Sequence, residues 1–75
     1  MTENATADEL RDQLSEVEFD IANLRKTAAQ IRDGVGEAED PADRGALIHE
    51  ADEQDNLADQ LSLRREDLLR RLAGV

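Results

Sequence analysis

Residues 34–43 read Gly-Val-Gly-Glu-Ala-Glu-Asp-Pro-Ala-Asp, and this stretch decides how the chain is organised. Gly34 and Gly36 offer the backbone freedom with which a helix is left. Asp40, Pro41 and Asp43 then start another. An aspartate at the N-cap can accept a backbone N–H, and proline at the first helical position has φ already set and no N–H to lose. An acid in the first turn complements the helix dipole. The sequence therefore predicts a turn over about residues 34 to 40 with a helix on either side.

Outward from the turn, both flanks carry the same period. Before it stand Leu10, Leu14, Val17, Ile21, Leu24, Ala28, Ile31 and Val35, spaced alternately by 4 and 3. After it stand Leu47, Ala51, Gln54, Ala58, Leu61, Arg65, Leu68 and Leu72, with the same spacing. An uninterrupted heptad of this length is a coiled-coil seam. Folded about the turn, the two seams share one register: from 10 with 72 to 35 with 47, the numbers of each facing pair total 82. Thr6 with Glu9 three residues on, and Asp8 between them, fits a capping box at the first helix start. The predicted architecture is all-α, an antiparallel two-helix hairpin spanning 1–75 as one domain, with helices over about 7–33 and 41–73.

Flanking positions agree with this register. Arg25 is expected beside Asp55 and Asp20 beside Arg64, and exposed pairs of this kind select register more than they stabilise it. Two layers are polar: Ala28 faces Gln54, and Val17 faces Arg65, whose stem can pack while its head reaches Glu18. Eleven Leu, Ile or Val residues line the seam, but two helices cover them only partly. A small chain in that position gains by associating, here into a four-helix bundle of two hairpins.

Off the seam, Ile48, Leu57 and Leu69 are expected to widen the apolar stripe, while Phe19 and Leu63 fall at outward positions level with one another. These apolar residues, above all Phe19, Leu63, Leu57 and Leu69, are candidate contacts for another protein or a second copy of the chain. The acids of the turn, Glu37, Glu39, Asp40 and Asp43, form the other candidate surface.

Composition narrows the function classes. The formal charge is −10, with 19 acids against 9 bases, which disfavours direct binding to nucleic acid. Between Asp33 and Asp59 ten acids face only Arg44, so the turn end is the acidic end. There is no cysteine, hence no disulfide, thiolate nucleophile or Cys-ligated zinc, and no apolar run long enough for a membrane span. Nothing at Met1 to Asn4 resembles a signal peptide, so the cytoplasm is the expected location.

Catalytic and metal motifs have little support. A chain this short removes only about 60% of its unfolded surface from water, which leaves little room for a deep pocket. His49 lies near Glu50 and Glu53, but two converging ligands fall short of the three or four of a zinc site. The acidic turn lacks the alternating ligands, central glycine and closing glutamate of a calcium loop, and the glycines follow no nucleotide-binding spacing. No enzyme, cofactor or metal is expected.

At the tip, Asp40-Pro41-Ala42-Asp43-Arg44 resembles the coiled-coil tip of DksA-type transcription factors, which insert it into the secondary channel of RNA polymerase. The resemblance covers about five residues and implies that Asp40 and Asp43 are presented to the polymerase. The chain has Gly45 where the family has alanine, and lacks the family's cysteine-rich zinc module. Asp40-Pro41-Ala42-Asp43 is also the pattern of a capped helix start. The expected function is thus a non-catalytic interaction module, an adaptor or regulator working through its acidic tip or its off-seam apolar residues. The alternative is a transcriptional regulator whose tip engages RNA polymerase or another basic site.

Overall fold

The computed structural model describes residues 6–74. Its two helices, α1 (Ala7–Val35) and α2 (Pro41–Ala73), lie antiparallel in a hairpin with principal dimensions of 58 × 19 × 13 Å. The protein is all-α.

Each helix begins with the cap its sequence encodes. Thr6 Oγ1 accepts from the Glu9 N–H at 3.1 Å, and the Thr6 N–H donates to Glu9 Oε1 at 3.3 Å, closing a capping box that satisfies two otherwise orphaned donors. Asp40, in an extended conformation, accepts from the Ala42 N–H at 2.9 Å, with Pro41 as the first residue of α2. The Arg44 guanidinium folds back to donate to the Glu39 carbonyl at 2.9 Å, so the turn closes on its own groups.

The turn itself is tighter than expected. α1 continues two residues past 33 and includes Gly34, while Gly36 caps it in the right-handed region. Among the described residues no glycine has positive φ, so the reversal does not use the conformation that glycine alone adopts cheaply. The extended backbone at Asp40, φ −83° and ψ 125°, redirects the chain instead.

Between the helices runs the seam. Leu10, Val17, Ala28, Ala51, Ala58 and Leu68 are buried, and each remaining seam position, including Gln54 and Arg65, is half-buried. Arg65 solves its polar layer as its length allows: the stem lies in the seam and Nε donates to Glu18 Oε2 at 2.9 Å. The branched side chains are unevenly distributed. Leu10, Val17 and Leu68 form a cluster with Leu14, Ile21, Leu61 and Leu72, all toward the open end, whereas alanines dominate the buried positions nearer the turn.

Candidate functional site

A two-helix hairpin has two broad faces, one on each side of the seam, and two narrow edges along the outer sides of the helices. The off-seam apolar residues separate among these. Phe19 and Leu63, 66% and 67% exposed, occupy outward positions of α1 and α2 and so lie on opposite edges. Along α2, Leu57, Leu63 and Leu69 follow at intervals of six residues, and at about 100° per residue each step leaves the next leucine roughly 120° around the helix. Phe19, Leu63, Leu57 and Leu69 therefore form no single patch. Ile48, 46% exposed, shares a broad face with Leu69 but stands near the turn while Leu69 stands near the open end.

One broad face carries charge. Arg25 reaches Asp59 at 3.0 Å and Asp55 at 3.5 Å; Arg32 reaches Asp55 at 2.6 Å and Asp52 at 2.9 Å. Asp55 thus bridges two arginines seven residues apart, and the hydrogen bonds that the Arg32 guanidinium donates to Asp55 and then Asp52 hold it above its ordinary pKa. The expected Arg25–Asp55 pair is part of this network. Its other members, Arg32, Asp52 and Asp59, could have been found from the repeat: Arg25 and Arg32 occupy the same heptad position, facing a run of acids three or four residues apart.

The opposite broad face differs. The expected pair between Asp20 and Arg64 does not form; Arg64 donates to Gln13 Oε1 at 3.3 Å. An exposed ion pair gains too little to fix two long side chains, and an amide oxygen competes on equal terms. Asp20 instead borders an open groove of 390 Å³, lined also by Asn23, Leu24, Leu57, Gln60 and Leu61. A second depression of 270 Å³, lined by Glu53, Asn56, Leu57 and Gln60, continues it toward the turn. Leu57, 47% exposed, belongs to both. Leu24 and Leu61 supply an apolar floor from the seam, and side-chain amides form much of the rim. The sequence signal for this site was a stretch of uncharged side chains, Asn23, Thr27 and Gln30 on α1 with Asn56, Leu57 and Gln60 on α2, in a chain 37% charged.

The turn does bring its acids together. Glu37, Glu39, Asp40 and Asp43 are all exposed within one reversal of the chain, although one carboxylate oxygen of Asp40 is committed to its own helix. His49 Nε2 lies 2.8 Å from Glu53 Oε1 on an exposed surface, and among the described residues no three His, Cys, Asp or Glu side chains converge as a metal site requires. Among the same residues, no helix is long and apolar enough to cross a membrane. Fold and surface together define an antiparallel coiled-coil hairpin with one charged broad face and one grooved broad face. Comparison with known protein families, with curated proteins and with solved structures found no match.

Proposed function

We propose that this chain is a non-catalytic protein-protein interaction module that docks helical partners on its grooved face. The observation that carries the proposal is the position of Leu57: a half-exposed leucine at the centre of an apolar-floored groove, rimmed by amides, on a chain of net charge −10. A groove between two helices accepts the apolar side chains of another helix, and a rim in which amides outnumber the carboxylates of Asp20 and Glu53 limits electrostatic repulsion. Catalysis finds no comparable support, because the polar side chains beside the groove line an open surface without enclosing a reacting group.

The test is affinity capture with the full chain and with Leu57→Glu. Partners held by the wild type should be lost by the variant while far-ultraviolet circular dichroism stays unchanged. Equal capture by both proteins would refute the assignment of the groove.

A second reading, regulation through the acidic tip, is favoured by Glu37, Glu39 and Asp43, exposed acids whose carboxylates accept no hydrogen bond and form no ion pair among the described residues. It predicts binding to a basic site, such as the channel of RNA polymerase, that weakens with salt. Binding would then fall on reversing the charges of Glu37, Glu39 and Asp43, a set that spares the Asp40 cap.

A further inference from the structure

The grooved face of α2 presents a stripe with an internal order. Glu53, Leu57, Gln60 and Arg64 follow one another at spacings of 4, 3 and 4 on that face, and they read acid, apolar, amide, base. Reversed, the stripe reads base, amide, apolar, acid. A two-fold axis midway between Leu57 and Gln60 therefore exchanges Leu57 with Gln60 and Glu53 with Arg64. When two copies of α2 run antiparallel, the stripe sets acid against base at both ends, with each Leu57 beside the partner's Gln60. We propose that the occupant of the groove is a second copy of this chain, stacked grooved face to grooved face in antiparallel orientation to make a four-helix bundle. This rests on the reading of the groove as a docking site and names its partner.

Charge selects the orientation. A parallel stack would set the turn of one hairpin against the turn of the other, and between Asp33 and Asp59 each carries ten acids and one arginine. The antiparallel stack sets each acidic turn beside the partner's open end, where Arg11, Arg64, Arg65, Arg70 and Arg71 offset the acids Asp8, Glu9, Asp12, Glu66 and Asp67 and the repulsion is less. On α1 the same axis brings Asp20 level with Thr27 and Glu16 level with Gln30 and Ile31, so no two acids of α1 are opposed. On α2 the outer Glu50 comes level with Asp67, whose charge Arg71 already offsets at 3.0 Å.

Size is sufficient. A standard interface takes about 800 Å² from each partner, and the broad face measures 58 by 19 Å. The gain is also needed, because within one hairpin only Leu10, Val17 and Leu68 among the described large apolar residues are buried. In the stack, Leu57 and the partly buried Leu24 and Leu61 beneath it are covered.

Sedimentation equilibrium of the full chain tests this. The wild type should show twice its 8.3 kDa monomer mass, and Leu57→Glu should show 8.3 kDa with undiminished helicity, glutamate being a good helix former. Glu53→Arg or Arg64→Glu alone should weaken the dimer about tenfold, and the double exchange should restore it. A wild type that stays at 8.3 kDa to millimolar concentration overturns the proposal, while leaving the groove to be judged by whether another protein is lost with Leu57→Glu. A dimer indifferent to Leu57→Glu, or an exchange that fails to restore association, overturns it as well, by placing the contact on another face or in the parallel orientation.

Discussion

Toward the open end, the seam packs Leu10, Leu14, Val17 and Ile21 against Leu61, Leu68 and Leu72. Toward the turn its buried side chains are Ala28, Ala51 and Ala58, with Gln54 half-buried among them, and the helices are joined across one face by Arg25, Arg32, Asp52, Asp55 and Asp59. The same heptad thus runs through two unlike regions. Large branched side chains gain from removal of apolar area, whereas alanine contributes little area but lets the partner helix come near. A shorter reach between helices suits ion pairs that cross from α1 to α2: the contacts of Arg25 and Arg32 lie beside the alanine layers, while Arg65, whose stem lies in the seam, reaches Glu18 among the leucines.

That contrast can be broken most directly at Leu68, which is fully buried in the leucine region. Leu68→Ala should cost ~2–5 kcal/mol, the range for truncating a buried leucine. In a domain this small the loss should appear as a large fall in helicity at 25 °C, or in the midpoint of a urea titration.

In the alanine region the expected injury is the opposite one. Ala51 is also fully buried, in the seam between the helices. Ala51→Leu should destabilise by ~1–3 kcal/mol through overpacking, although it adds apolar area. A gain in thermal midpoint would mean that the helices near the turn are looser than the buried alanines indicate.

A smaller effect of favourable sign is expected at Gly45, inside the first turns of α2, where an added Cβ would meet nothing within 4 Å. Gly45→Ala should stabilise by ~0.5–1 kcal/mol, because glycine loses more backbone freedom in a helix than alanine does. Denaturant titration would register this as a higher midpoint with unchanged slope.

Least of all should follow from Arg32→Met, which keeps an unbranched stem and removes the contacts to Asp52 and Asp55. Arg32 and Asp52 are exposed and Asp55 is only half-buried, so the change in thermal midpoint should be the smallest of the four and should shrink in molar salt. A loss rivalling that of Leu68→Ala would show that the turn half depends on its ion pairs as much as the open half depends on its leucines.

Much of this was legible in the amino-acid sequence. Thr6 and Glu9, Asp40 and Pro41, the unbroken spacing of both seams and the shared register are local or periodic features, and helix caps and heptads act over three to seven residues whatever surrounds them. The same periodicity led to Arg65 lying in the seam with its head at Glu18. What the sequence left undetermined lies off the seam. Arg64 turned to Gln13 rather than Asp20, and Asp55 came to serve two arginines. Seam positions are held by burial, which strongly favours one arrangement. Surface side chains choose among rotamers of similar energy, and only the spacing and relative rotation of the packed helices decide which of them meet and where a groove opens between them.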